Sequence, residues 1–204
     1  FEGKEEINNS GETIKTSIEA SSMCRIFNCQ DMQNTSVTIR NIEIKNGKAL
    51  DGSNGGGILL NNCSPTLENV SITNNESTGK GGGLYLVNNS NPLLKNVEIT
   101  ENTSEDNGGG LYCEDSNPVI MGTINENDTT YRKINENTSK GTKGGGLFST
   151  HSIPILNSVD IKDNYIDNNS DFNVIVGAGL YIEGVPQFSR FSLNNIKVSG
   201  NKSN

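Results

Sequence analysis

Apolar and polar residues alternate along this chain in short stretches, which is the period of a half-buried strand rather than of a helix. Leu84 and Leu86, then Leu94, then Val97 and Ile99 mark three such stretches within one segment. Gly, Asn, Ser and Pro lie between them, the residues that punctuate strands with turns. A unit this small cannot enclose its own apolar face, so the pattern predicts a stack of similar units sharing one core.

The expected repetition is present. A glycine triplet followed by an aliphatic residue occurs at Gly55-Gly56-Gly57-Ile58, Gly81-Gly82-Gly83-Leu84, Gly108-Gly109-Gly110-Leu111 and Gly144-Gly145-Gly146-Leu147, with a fifth copy at Gly177-Ala178-Gly179-Leu180. A proline follows each, at Pro65, Pro92, Pro118, Pro154 and Pro186, with gaps of 27, 26, 36 and 32 residues. After each proline comes an Ile or Val with Asn three later: Ile72 with Asn75, Ile99 with Asn102, Ile124 with Asn127, Ile161 with Asn164 and Val198 with Asn201. Ile44-Lys45-Asn46-Gly47 is an earlier, degenerate copy.

Each repeat reads as three short strands, and stacking pairs each strand with its equivalent in the next coil at about 4.8 Å. The expected architecture is an all-β solenoid of roughly five to seven coils. Its inward rows are Ile58, Leu84, Leu111, Leu147, Leu180 and Leu67, Leu94, Ile120, Leu156, Phe188. Repeats occupy residues 37–204, and residues 1–36 match poorly, as an irregular first coil or cap would. The longer gaps place insertions near 128–143, 165–176 and 188–194.

The paired marks resemble the GGA-I/L/V and F-x-x-N repeats of polymorphic outer-membrane protein passengers and, more widely, the right-handed β-helix repeat proteins of the pectate-lyase-like superfamily. The resemblance covers about residues 37–204, with Gly in place of Ala and Ile in place of Phe. It implies a right-handed parallel β-helix. It does not fix a function, because that fold hosts adhesins, polysaccharide lyases, hydrolases, esterases and filament subunits.

Only 31% of residues are hydrophobic and 5% aromatic, which suits a thin repeated core better than a thick globular one. The net charge of −8 and the absence of clustered Lys or Arg exclude nucleic acid as the expected partner. No run approaches the ~18 apolar residues that span a bilayer, and Phe1 to Ser10 lack the pattern of a signal peptide. The chain is expected to be secreted or on the cell surface. Cys24, Cys29, Cys63 and Cys113 lack metal-site spacing, so no metal or other cofactor is expected. Buried thiols and a local Cys24–Cys29 disulfide both remain open, Cys113 falls in the inward row with Leu60 and Leu86, and a Cys63–Cys113 bridge is not expected.

No catalytic set stands out, and the chain is expected not to be an enzyme. Glu43, Glu98 and Asp160 share one outward row but are interrupted by Ser71 and Lys197, as on a solvated sheet face. The single histidine, His151, has Ser152 beside it and reads as a turn residue rather than a triad member. The residues two after each triplet, Leu59, Tyr85, Tyr112, Phe148 and Tyr181, turn outward and predict an exposed aromatic ladder. That ladder stabilises the sheet or serves as a platform for a sugar or a neighbouring subunit. Asn75, Asn102, Asn127, Asn164 and Asn201 predict a stacked amide ladder. Asn8, Asn34, Asn62, Asn88, Asn137 and Asn168 lie in Asn-x-Ser/Thr sequences and are the better glycan candidates. These features together predict an extracellular structural or adhesive module, self-associating end to end or joined to neighbouring repeats, with polysaccharide or glycan binding or a lyase-like role as the alternative.

Overall fold

The computed structural model describes residues 5–7, 13–20, 24–33, 36–123, 132–168, 176–185, 187, 189 and 192–203. Alternation within short stretches produces strands of two to seven residues, and each pairs with its counterparts in the coils above and below. Four sheets result, running along a parallel β-helix of six coils. The aromatic sheet holds Phe27–Gln30, Ile58–Asn61, Leu84–Val87, Leu111–Glu114, Leu147–Thr150 and Leu180–Glu183. The proline sheet holds Thr38–Arg40, Thr66–Glu68, Leu93–Lys95, Val119–Met121, Ile155–Asn157 and Ser192–Asn194. The isoleucine sheet holds Glu5–Ile7, Thr13–Glu19, Ile42–Lys45, Ser71–Thr73, Glu98–Thr100, Arg132–Asn135, Val159–Lys162 and Lys197–Ser199. A short sheet of two-residue strands holds Lys48–Ala49, Glu76–Ser77, Thr103–Ser104, Thr138–Ser139, Tyr165–Ile166 and Lys202–Ser203.

Sharp corners between the sheets explain the Asn-rich composition. Asn46, Asn74, Glu101, Glu136 and Asp163 take φ between 52° and 60° at one corner, and Asn41, Asn69 and Asn96 take 54° to 56° at another. Among L residues, Asn and Asp tolerate this left-handed region best. Gly81, at φ 64°, opens its triplet in the same region. The third glycine has a different reason: a Cβ on Gly83 would lie 2.8 Å from the Gly110 carbonyl oxygen and 2.9 Å from the Asn102 side-chain amide carbon.

Inward rows form one continuous core. Ile58, Leu84, Leu111 and Leu147 are in register and at most 1% exposed, and Leu180 continues the row half-buried. Ile39, Leu67, Leu94, Ile120 and Leu156 form the proline-sheet row. Its last place belongs to Leu193, which pairs with Leu156, and not to Phe188, which lies outside the described residues. The last coil has no partner above it among the described residues, and Leu193 and Val198 are 52% and 58% exposed.

Four boundaries differ from the sequence reading. Residues 132–143 are regular, with Arg132–Asn135 and Thr138–Ser139 in register, so the first insertion precedes them and includes 124–131, outside the described residues. The second begins after Tyr165–Ile166, which pairs in register with Thr138–Ser139, and the third ends before Ser192–Asn194. Coiling also begins earlier than residue 37, because Thr13–Glu19 and Phe27–Gln30 pair in parallel with Ile42–Lys45 and Ile58–Asn61. The irregular part of this first coil is Glu5–Ile7, which runs antiparallel along Thr13–Glu19.

Candidate functional site

The asparagine ladder occupies the buried corner between the isoleucine and short sheets. Asn75 donates from its backbone N–H and its Nδ2 to Asn102 Oδ1, at 3.0 and 2.9 Å. Asn102 repeats the pair of bonds to Asn137 Oδ1 and also donates from Nδ2 to the Ile72 carbonyl. Asn137 continues to Asn164, and Asn164 to Asn201. At the other end the Gly47 N–H donates to Asn75 Oδ1, so the ladder starts on a residue without an amide.

The third rung is therefore Asn137, fully buried, and not Asn127, which lies outside the described residues. Ile124-Asn125-Glu126-Asn127 and Ile134-Asn135-Glu136-Asn137 are duplicate tetrapeptides, and the first falls in the insertion. A discriminating signal stands two residues later. Ser77, Ser104 and Ser139 follow Asn75, Asn102 and Asn137 and are fully buried, whereas Thr129 follows Asn127. Asn137 is likewise withdrawn as a glycan acceptor, because both ends of its amide are bonded within the ladder.

A serine ladder went unread in the sequence. Ser90, Ser116 and Ser152 are fully buried between the aromatic and proline sheets. Their hydroxyls accept from the backbone N–H of Cys63, Ser90 and Ser116 in turn. The sequence signal is a Ser two residues before Pro92, Pro118 and Pro154. Ser152 also donates to the Thr150 carbonyl, so its hydroxyl is held inside the ladder while His151 is exposed at φ 48°. The two are not arranged as nucleophile and base.

The aromatic row is in the register expected, Leu59, Tyr85, Tyr112, Phe148, Tyr181, and its rings stack at centroid distances of 5.4, 4.8 and 5.8 Å. The exposure expected of it is corrected: Tyr85, Tyr112 and Phe148 are only 8%, 3% and 2% exposed, and Tyr181 is half-buried. Long side chains lie across the rings. The Lys80 Nζ sits 4.6 Å from the Tyr112 ring centroid and donates to Tyr112 Oη at 3.0 Å. Lys143 stands 5.1 Å from the Tyr181 centroid and is bonded to Glu183 at 2.6 Å. Burial, reinforced by the Glu114 carboxylate, pushes the Tyr85 hydroxyl up to about 12 and raises that of Tyr112 as well. These phenols stay protonated at neutral pH and have no character of a general base.

Cysteine placement settles the alternatives left open. Cys29 and Cys63 form a disulfide across 34 residues with Cα atoms 6.0 Å apart, while Cys24 is exposed and free. A local Cys24–Cys29 bridge is not formed, because Cys29 stands on an inward row in register with Leu60, three residues before Cys63. Cys113 is a buried thiol in the row of Leu60 and Leu86, and burial pushes it up to about 12.

Asn88 is exposed, Asn62 and Asn168 are half-buried, and Asn8 and Asn34 lie outside the described residues. Asn88 Nδ2 donates to Asn61, and Asn62 Nδ2 to Asp31, each at 2.9 Å. In the acidic row, Lys133 and Lys197 flank Asp160 in register. Among the described residues no three His, Cys, Asp or Glu side chains are grouped to hold a metal ion. No helix among them is long and apolar enough to cross a membrane. One family description, right handed beta helix region, matches residues 6–204. No curated protein and no solved structure matches the chain.

Proposed function

Since the chain belongs to the right-handed β-helix family, we propose that it is a non-enzymatic structural or adhesive module that works outside the cytoplasm as a rigid spacer. The carrying observation is the unbroken amide ladder from Asn75 to Asn201, which binds five successive coils to one another through buried side chains. Polar residues of the interior are thereby engaged in holding coils in register, the property a spacer requires. The Cys29–Cys63 bridge supports an oxidising compartment, where such bonds persist. Glycans on the exposed corner at Asn88 are compatible with the same role.

The ring faces of the aromatic row are covered, which leaves the carbohydrate-binding reading without its platform. Neighbouring coils would join at the Ser192–Ser203 end, where Leu193 and Val198 are exposed. At the opposite end Glu5–Ile7 lies antiparallel along the edge of Thr13–Glu19. Incubation of the purified chain with uronate and neutral polysaccharides, alongside a binding screen on cell-surface and matrix components, tests the reading. Binding to a surface or matrix component, with no polysaccharide shortened, is expected. Depolymerisation of a polysaccharide would overturn the non-enzymatic assignment.

A further inference from the structure

The first coil is held differently from the others. Phe27–Gln30 and Thr38–Arg40 are the outermost strands of the aromatic and proline sheets, each paired on one side only. Phe27 and Cys29 are half-buried where their register partners Ile58 and Leu60 are 1–2% exposed, and Ile39 is 8% exposed where its partner Leu67 is fully buried. Between the two coils lies a cavity of about 230 Å³ whose lining includes Phe27, Cys29, Val37, Ile58, Leu60 and Leu67. Interior packing is therefore thinner here, since a void removes the partner atoms on one side, while the strand ladders continue unbroken. The asparagine ladder loses its side-chain rung at this level, where Gly47 bonds Asn75 Oδ1 through its backbone N–H alone. One covalent bond spans the gap: Cys29 on the first coil to Cys63 at the end of the second coil's aromatic-sheet strand. Cys63 is anchored further into the body by its N–H bond to Ser90 Oγ.

We propose that Cys29–Cys63 is a redox-released latch, and that its reduction lets the first coil lift from the second while the remaining coils stay folded. A dithiol supplies the two electrons and two protons: the Cys29–Cys63 bond breaks, both residues end as thiols, and the reductant ends as its own disulfide. Cys29 is the half-buried sulfur at the open end of the solenoid, and Cys63 is 1% exposed, so attack falls on Cys29. Release would uncover the edge of Ile58–Asn61 and the row Ile58, Leu60, Leu67, a ready template for another strand.

Hydrogen exchange of the full chain, followed by peptide mass with and without dithiothreitol, tests this. Exchange at 27–30 and 38–40 is expected to rise at least tenfold on reduction and to return on reoxidation, with 84–121 unchanged. The C29S/C63S double variant should exchange at the reduced level with or without the dithiol. Alkylation provides the chemical control: one thiol, Cys24, should be labelled in the oxidised chain and three in the reduced chain, with Cys113 protected. Unchanged exchange at 27–40 after three thiols are labelled would overturn the latch. A rise spread equally over all coils, with Cys113 labelled, would also overturn it, because the bond would then hold the whole fold rather than one coil.

Discussion

The Asn102 side-chain amide lies flat against Gly83, so near that a Cβ there would come within 2.9 Å of the amide carbon. Two marks that stand far apart in each repeat, the third glycine and the ladder asparagine, are thus two sides of one contact. Gly57 faces Asn75, Gly110 faces Asn137, Gly146 faces Asn164 and Gly179 faces Asn201 in the same way.

Replacing Gly83 by Ala should therefore damage the ladder rather than the loop. The methyl meets the Gly110 carbonyl and the Asn102 amide, neither of which is free to turn aside. A loss of about 1–3 kcal/mol is expected from overpacking of this kind. Urea unfolding monitored by circular dichroism measures it, and a variant as stable as the parent would contradict the contact.

Asn102→Ala leaves the Asn75 backbone N–H without its acceptor and withdraws the Nδ2 donor from the Ile72 carbonyl and from Asn137 Oδ1, all in the interior. Asn75 Nδ2 keeps the Ile44 and Thr73 carbonyls, and the backbone N–H of residue 102 still reaches Asn137. A buried group left unpaired costs about 1–3 kcal/mol, so a total loss of roughly 2–4 kcal/mol is expected. Asn137→Ala should behave alike, whereas Asn127→Ala should stay within about 0.5 kcal/mol. Equal effects at 127 and 137 would place the rung wrongly.

This pair shows where sequence reading stops. Alternation and spacing are enough for the three longer sheets, the inward rows and most of the ladder, because each depends on period alone; the fourth sheet departs from the three strands expected per repeat because its two-residue strands are too short to show a period. Asn127 and Asn137 read alike because an insertion carries a second copy of the same tetrapeptide, and only the buried Ser139 two residues on separates them. The direction of Tyr85, Tyr112 and Phe148 is legible for the same reason as the rows. Their burial is not, since it depends on where Lys80 and Lys143 lay their side chains. The Cys29–Cys63 bridge was hidden because the first coil carries no recognisable mark to set its register.

Tyr112→Ala removes a ring stacked on both sides and should cost about 3–5 kcal/mol, the range for a buried aromatic. Lys80→Ala removes only a partly exposed cover and should cost no more than about 1 kcal/mol. Added oligosaccharide should leave tyrosine fluorescence unchanged in the parent and rescue neither variant. A saturable change in the parent would restore the aromatic row as a binding surface.

Stability should fall in alkali before the lysines titrate. Cys113 is raised from 9.0 to about 12 and Tyr85 from 10.0 to about 12 in the folded chain, mainly by burial. The unfolded chain gives up these protons first, so deprotonation favours unfolding. Stability from each group is complete below its ordinary value and declines between that value and about 12, by up to about 1.4 kcal/mol per pH unit. Unfolding midpoints from pH 8 to 11 measure the slope. Cys113→Ala should remove the part that begins near pH 9, and an unaltered slope would place that thiol outside the core.

Between Val119–Met121 and Arg132–Asn135 the chain takes in additional residues, yet Asn102 and Asn137 on either side bond as closely as Asn75 and Asn102 do. Pitch is held by the rungs and contour length by nothing at all. Such a body behaves like a pegboard: segments of unrelated length can be grafted at this corner, and natural variation or design can change what the surface presents without retuning the stack that carries it.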